Sequence, residues 1–389
     1  MTANCKRLWY TTEPTEPIAS LPIGTGRLAA LVMGYKATER VALNHEWLWR
    51  DDHRNRDNQP AAHMLPQVRK LLLDGNYGAG TVAGNHAFGG LGGCSALDNR
   101  VEPYQPVGDL NFTLDHGDVT DYHRQLDLTT GVVTVQYDAG DVRFTREYLA
   151  DVASDLLLVH ITASAAFGGR FSLSRCDDPA CTVTTTAADS TLTLDGHFPT
   201  GLAFRTVADL HATGGTVSAD GDALVVTGAT EVLLAIDIAT TVWDADVETE
   251  LARHTLPSTD WDTLLAGHLK RYDVLYNALS LDVDVAEPDM PTDERLQAGR
   301  DGAADPGLPV LYFNYGRYLL VASSANGQLP ANLQGKWNMD INPPWESDLH
   351  QDINIQMNYW PAEAGNQGET VDALLQHLER CVEHGRKAA

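Results

Sequence analysis

Over roughly the first 250 residues, apolar side chains recur at every second position in short β-branched runs, the pattern of strands with one buried face. The runs are IASLPIGTGRLAALVMGY (18–35), GVVTVQYDAGDVRFTREYLA (131–150), DLLLVHITASA (155–165), STLTLDG (190–196) and GTVSADGDALVVTGATEVLLAIDIATTV (215–242). Turns rich in glycine, aspartate and asparagine separate them at the spacing of a large antiparallel sandwich. Asp220-Gly221 is an Asp-Gly hairpin turn. The stretch 63–75, HMLPQVRKLLLDG, replaces the alternation with a helical stripe ending on glycine, and predicts one inserted helix. Gly24-Thr25-Gly26-Arg27-Leu28-Ala29 approximates a dinucleotide-binding glycine loop. Strand-like sequence follows it and no βαβ unit surrounds it, so its glycines are read as a hairpin.

The period then changes. Residues 259–278 place Leu264, Leu265, Leu269, Val274 and Leu275 at helical spacing. Residues 281–290 are polar and proline-containing, a linker. Pro291-Thr292-Asp293-Glu294 is a helix start with acidic first-turn groups. From about residue 306 the pattern is helical over 307–324, 352–364 and 368–389, with a long loop after the first of these. The expected division is a β domain over 1–250, a helical linker over 251–290 and a helical domain over 291–389.

Charge narrows the partners. The chain carries 53 Asp+Glu against 27 Lys+Arg, a formal net charge of -26. Such a surface repels nucleic acid and anionic membranes, and neither is expected as a partner. The five cysteines, Cys5, Cys94, Cys176, Cys181 and Cys381, contain no CxxC pair. A zinc site or a dense disulfide framework is not expected, and no cofactor or metal is implied. Cys176 and Cys181 either pair across the turn SRCDDPACTV or stay free. The N-terminus has no apolar core of a signal peptide, and no apolar run approaches a membrane span. The expectation is a cytoplasmic protein.

The chemistry concentrates in 329–366, LPANLQGKWNMDINPPWESDLHQDINIQMNYWPAEAGN. Trp337, Trp345, Tyr359 and Trp360 stand among Asn332, Gln334, Asn338, Asn342, His350, Asp352, Asn354, Gln356 and Asn358. Flat rings beside amides and carboxylates suit a sugar-binding cleft, in which rings stack on C–H faces and polar groups fork onto hydroxyls. The bland alternative is a polar helix–helix interface whose amides satisfy one another.

This stretch resembles glycoside hydrolase family 95, the inverting α-L-fucosidases, some of which act on α-L-galactosides. LWYTTEPTEPIASLPIGTGRLAALVMG, ERVALNHEWLWR, EPYQPVGDLNF, PTDERL and YFNYGRYLLVASS resemble further family segments in the family order. The resemblance implies an α+β multidomain fold: an N-terminal antiparallel β-supersandwich, a helical linker, then the first part of an (α/α)6 barrel. It also places the general acid, a glutamate, and a second carboxylate further along than Ala389, so the chain is expected to be a fragment or one piece of a split gene.

For the residues present, the resemblance implies that Asn354 and Asp352 hold the nucleophilic water. Asp352 stands where the family pattern can have a second asparagine. A carboxylate there either orients the water or acts as base. Without the resemblance, Asp352 reads as a helix N-cap and Asn354 as a satisfied polar residue. His350 is either a partner for a sugar hydroxyl or a loop residue. Trp345 and Trp360 are either stacking platforms or barrel core, the second reading being stronger for Trp360. Asn332, Gln334 and Asn342 either bind sugar or knit the loop. Glu346 and Glu363 are not expected to be the acid. Asn44-His45-Glu46 either packs between domains or reaches over the barrel mouth. The expected activity of the parent protein is removal of terminal α-L-fucose, α-1,2-linked, from fucosylated oligosaccharides, without a metal, and residues 1–389 alone are expected to be inactive. An α-L-galactosidase, a non-catalytic carbohydrate-binding or structural fragment, and a related phosphorylase are the alternatives.

Overall fold

A computed structural model of the chain describes residues 5–50, 61–88, 101–242, 245–281, 283–284 and 288–388. Cys94 and part of the expected linker 281–290 lie outside them. Among the described residues the β-branched runs form fourteen strands: β1 Arg7–Tyr10, β2 Leu21–Gly24, β3 Leu28–Val32, β4 Thr38–His45, β5 Gly108–Leu114, β6 Val119–Asp127, β7 Val132–Ala139, β8 Val142–Asp151, β9 Leu156–Ser174, β10 Thr182–Ala188, β11 Thr191–His197, β12 Ala203–Thr213, β13 Thr216–Asp220 and β14 Ala223–Thr240. Every pairing is antiparallel. The period-two pattern is realised as alternating burial, most regularly in β5, β11 and β12.

β9 is far longer than the sequence run 155–165 that announced it, and together with β14 it makes the sandwich. The first half of β9 pairs with β8, its second half with β5, and β14 runs alongside both halves. The β9–β14 register shifts twice between Val226 and Glu231, around Gly228 at φ 74°. Such bulges bend strands and let them pass from one layer to the other. One layer runs β1-β6-β7-β8-β9-β14-β12-β11-β10, and a branch β2-β3-β4-β5 leaves β9. β2 and β3 lie against β7 and β8. Phe112 of β5 and Phe171 of β9, directly opposite in register, stack at 5.2 Å.

That interior also holds an ion pair. Arg146 Nη1 lies 3.2 Å from Glu39 Oε2, both side chains at or below 1% exposure. Glu39 accepts from the Tyr148 hydroxyl at 2.7 Å and from the Gly34 backbone N–H at 2.8 Å. Burial raises the Tyr148 phenol well above its ordinary range. Arg146 Nη2 also donates to Tyr35 O at 2.8 Å, so the pair is largely compensated in a dry core, with Arg146 Nε alone of the guanidinium nitrogens lacking a partner among the described residues.

The helices follow. α1 is Ala61–Leu73, as the stripe at 63–75 predicts, and α2 is Tyr77–Phe88, which the sequence reading lacked. α2 reads YGAGTVAGNHAF, without an apolar stripe to announce it. α3 is Val247–Leu251, and α4 is Trp261–Tyr272, continuing as one wider turn over Asp273–Asn277. α4 is fastened to the sheet. The Tyr272 hydroxyl donates to Leu128 O at 2.8 Å, and Trp261 stacks on His160 at 4.7 Å. α5 is Thr292–Arg300, α6 Leu308–Ser324, α7 Asn354–Tyr359, α8 Pro361–Ala364 and α9 Val371–Ala388. The fold is therefore a large antiparallel β domain followed by helices. No described helix is long and apolar enough to cross a membrane. Cys176 and Cys181 are free thiols, so the pairing across their turn does not form.

The glycine loop is the β2–β3 hairpin, docked on the end of α6. The Gly26 N–H donates to Ala322 O at 2.9 Å, and Asn326 N–H donates to Thr25 O at 2.6 Å. A helix end leaves carbonyls without partners, and this hairpin supplies one. Gly26 sits at φ +96°, and a Cβ there would meet backbone nitrogens at 2.7 Å. Glycine is required by both conformation and space.

His160 lies between Glu147 (3.2 Å) and Glu231 (2.9 Å) under the Trp261 ring. Burial opposes its charge, but the two carboxylates prevail and its pKa is raised. Stability from a raised imidazole is fully present below the ordinary imidazole range and fades as pH rises through the folded-state value. Melting temperatures measured from about pH 6 to about pH 8 are expected to fall more for the native chain than for His160→Gln. Parallel profiles for the two proteins would refute this placement of the charge.

Candidate active site

The stretch rich in asparagine and tryptophan begins as a loop that the β domain holds from below. Glu46, one residue beyond β4, accepts from the backbone N–H groups of Gln328 and Leu329 at 2.8–2.9 Å. The same carboxylate receives the Lys336 ammonium at 2.9 Å, which also donates to Leu329 O at 2.8 Å. Both side chains are at most 2% exposed. Burial lowers the Lys336 pKa, and the Glu46 charge works against that shift. Asn44 donates to Asn338 O at 2.9 Å and accepts from Asn338 N–H at 3.0 Å. The Tyr104 hydroxyl donates to Lys336 O at 3.0 Å, and Trp337 Nε1 donates to Ile23 O at 2.9 Å. Asn44 and Glu46 therefore pack between the domains.

Above this platform the amides divide into two groups. The first is engaged. Asn332, 4% exposed, accepts through Oδ1 from Gln334 N–H at 2.8 Å and from the Ser347 hydroxyl at 3.1 Å. Asn338 donates to Tyr104 O and Asp340 O. Asn358 donates to Ala331 O at 3.2 Å. These three knit the loop. The second group is unengaged. Asp352 and Asn354 are exposed, and neither side chain bonds to another described residue. Gln334 Oε1 is buried without a partner among the described residues.

Asp352 is not an N-cap. Ile353, at φ 79°, precedes α7, and no side chain caps that helix. Asp352 and Asn354 thus flank a left-handed residue at the start of α7. On that short helix, Ile355 and Tyr359 face inward. The buried Tyr359 hydroxyl bonds to Ser324 Oγ at 2.8 Å and accepts from Ala331 N–H at 3.0 Å. Burial pushes its phenol pKa up to about 12, so it serves as a neutral fastener. Trp360, next along, is 65% exposed in this chain. Pro361 ends the turn before it, and only Tyr359 of the pair reaches the interior.

Trp345 is displayed by a strained turn. After Pro343 and Pro344, the residues Trp345, Glu346 and Ser347 adopt φ of 56°, 54° and 49°. Left-handed conformation costs non-glycine residues about 1–2 kcal/mol each. Here the surroundings impose it: Tyr104 N–H donates to Glu346 O at 2.9 Å, and Leu333 N–H donates to Asp348 O at 3.1 Å. The outcome is a tryptophan 59% exposed, edge-on to His350 with ring centres 5.5 Å apart. His350 Nδ1 bonds to Asp348 Oδ1, which also accepts the His350 backbone N–H at 3.0 Å. A proton on Nδ1, facing the carboxylate, leaves the Nε2 lone pair free for a ligand. Sequence reasoning missed Asp348. Its signal was the Asp-x-His spacing, which forms a turn closed by the aspartate side chain.

The structure thus brings Trp345 and His350 together and leaves Asp352 and Asn354 on either side of one residue. Trp360 is outward, Gln334 half-buried, and Asn332 sealed into the loop. Among the described residues, no group of three or more His, Cys, Asp or Glu is arranged to hold a metal.

Residues 260–389 match the glycosyl hydrolase family 95 catalytic domain, and residues 8–244 match the glycosyl hydrolase family 65 N-terminal domain. The chain is 29% identical to Alpha-L-fucosidase 2 of Arabidopsis thaliana, over 95% of this chain and 48% of that protein. It is 26% identical to Probable alpha-fucosidase A of Aspergillus niger, over 92% of this chain and 48% of that protein. For the Aspergillus oryzae protein of the same name the figures are 25%, 96% and 54%. The chain therefore spans about half the length of these curated relatives. A solved structure, the Putative kojibiose phosphorylase from human microbiome, aligns with a TM-score of 0.44 at 9% identity, over 85% of this chain and 43% of that one.

Removing Glu46 leaves Lys336 a buried, unpaired ammonium and two backbone N–H groups without acceptors. Glu46→Ala is expected to cost about 3–5 kcal/mol in urea unfolding. The double change Glu46→Gln with Lys336→Met keeps an acceptor, removes the charge and is expected to recover most of that loss. A Glu46→Ala variant as stable as the native protein would contradict this account.

Proposed function

This chain belongs to glycosyl hydrolase family 95, with an N-terminal domain of the kind described for family 65, and we propose that the protein carrying it removes terminal α-L-fucose from oligosaccharides with inversion. What supports the reading is the division of the polar groups: Asn332, Asn338 and Asn358 are engaged within the loop, while Asp352 and Asn354 stand exposed with no side-chain partner among the described residues. A polar pair held by its backbone, with nothing bonded to it, is arranged for a ligand.

An inverting hydrolase sets an acid and a base on opposite faces of the sugar, about 6.5–9.5 Å apart, with a water between the base and the anomeric carbon. The Asn354 carboxamide oxygen accepts one hydrogen of that water and fixes its approach. Asp352 accepts the other and takes the proton as the new C–O bond forms. The glycosidic C–O bond breaks at the same time, and its oxygen takes a proton from the general acid. None of the residues described here is assigned as that acid. Positioning of this kind lowers the barrier by holding the water in line. Trp345 and Trp360 offer faces to the sugar C–H groups. His350 Nε2 accepts from a sugar hydroxyl, its ring set by Asp348. Gln334 Oε1 lies ready as a further acceptor, and Asn332 holds the turn that presents them.

The preferred substrate is α-1,2-linked fucose. The test is incubation of the full-length protein that carries this chain with 2'-fucosyllactose, with the anomer first released followed by NMR; residues 1–389 alone are expected to show no hydrolysis. Release of β-L-fucose is expected, and Asn354→Ala or Asp352→Ala is expected to reduce kcat by roughly 10²–10⁴-fold while changing KM little. Activity on an α-L-galactoside alone would move the reading to that sugar. Unchanged kcat in the Asn354→Ala, Asp352→Ala double variant would end the assignment.

A further inference from the structure

Residues 341–345 lead into the exposed Trp345 ring, and the β domain holds this segment from two adjacent positions. Beyond the ring, Tyr104 N–H donates to Glu346 O at 2.9 Å. Ahead of it, Gln105 Nε2 donates to Ile341 O at 2.9 Å. Arg50 Nη2 reaches the same carbonyl at 3.4 Å. Between the two anchors stand Asn342, Pro343 and Pro344. Proline fixes its own φ and disfavours helical conformation in the residue before it, so this spacer is stiff. Pro343 is extended, at φ −66° and ψ 153°. With both ends held and a stiff spacer between them, a shift of Ile341 is passed on to the indole.

The Gln105 amide has one orientation. The residue is fully buried, and its Oε1 accepts from Arg50 Nη2 at 3.0 Å and from Arg175 Nη2 at 3.2 Å. A guanidinium only donates, so the amide oxygen must face the arginines and the N–H groups must face the Ile341 and Pro103 carbonyls. Asp178, in the turn between β9 and β10, places both arginines. Its Oδ1 lies 3.3 Å from Arg50 Nη1 and its Oδ2 3.0 Å from Arg175 Nη1. Both guanidinium groups also lie over the Phe198 ring, at 5.6 and 5.5 Å. The amide is thus aimed by groups that belong to the β domain alone.

We propose that Gln105 is a positioning residue for substrate recognition: through Ile341 it aims the Trp345 ring at the sugar. The inference rests on the reading of Trp345 as a platform for that sugar. It makes the β domain part of substrate recognition, although Gln105 bonds to neither Asp352 nor Asn354. Loss of its donor acts on binding and raises KM, while kcat stays near the native value.

Gln105→Glu is the sharp variant. It keeps acceptors for both arginines and sets a carboxylate oxygen against the Ile341 carbonyl. The full-length protein that carries this chain is labelled with fluorotryptophan, and the fluorine resonance that Trp345→Phe deletes is that of Trp345. In Gln105→Glu this resonance is expected to shift or broaden while the melting temperature stays near native. KM for 2'-fucosyllactose is expected to rise roughly tenfold with kcat within about twofold, and adding Trp345→Ala to Gln105→Glu is expected to raise KM little further. Gln105→Met, which removes the donor without adding charge, is expected to move the same resonance and serves if Gln105→Glu folds poorly. A Trp345 resonance unmoved in the folded variants, or a moved resonance with native KM, would overturn the proposal. A native protein that hydrolyses no fucoside would sink the fucosidase reading alone, and the resonance would still decide whether Gln105 sets the ring.

Discussion

The Glu46 carboxylate is the constraint on which the helical half depends. It sits one residue past β4, and it is buried with Lys336. A buried carboxylate needs compensating donors, and Lys336 with the N–H groups of Gln328 and Leu329 provides them. The loop leaving α6 has no regular hydrogen-bond ladder of its own. Its path from 328 to 338 is instead defined by groups that the β domain presents: Glu46, Asn44, the Tyr104 hydroxyl and Ile23 O. The β domain is therefore the floor on which the candidate site is laid.

From that floor the strain in the turn at Trp345 can be understood. Three consecutive left-handed residues persist only where the surroundings over-determine them. Here Tyr104 holds Glu346 O and Asn332 holds the Ser347 hydroxyl. Asn332 is held in turn by the loop that Glu46 fixes. The chain of support runs from the strand end through the loop to an exposed indole. A relaxed turn would let that ring fold onto the apolar surface. The exposure of the Trp345 ring is thus a consequence of the backbone turn that carries it.

Much of the fold was legible in the chain. Alternation gave the strands, the Asp-Gly turn closed β13 on β14, and the glycine loop was a hairpin as its context implied. The length of β9 was hidden because a strand that changes layers also changes which face is buried, so its alternation slips at the bulge. α2 was hidden because its small residues pack by closeness and not by an apolar stripe: a Cβ on Gly80 would lie 2.6 Å from Leu72. The location of the candidate site was legible from its composition. Its internal division was not, since Asn332 and Asn354 are the same residue type and only backbone geometry shows that one is engaged and the other is not. The partnership of Glu46 with Lys336 spans 290 positions, and no local pattern announces a contact at that range.

The position of Trp360 shows how little separates the two roles an aromatic residue can take here. Tyr359 and Trp360 are neighbours with opposite fates, one 7% and one 65% exposed. On a helix, adjacent residues differ by about 100° in direction, so a buried Tyr359 sends Trp360 toward another face. What selects Tyr359 for the interior is its hydroxyl, which finds Ser324 and the Ala331 N–H there. An indole in that place would leave the Ala331 N–H without an acceptor, because indole only donates. One orphaned backbone donor thus orients α7, and with it the direction in which Asn354, Met357 and Trp360 are offered to solvent.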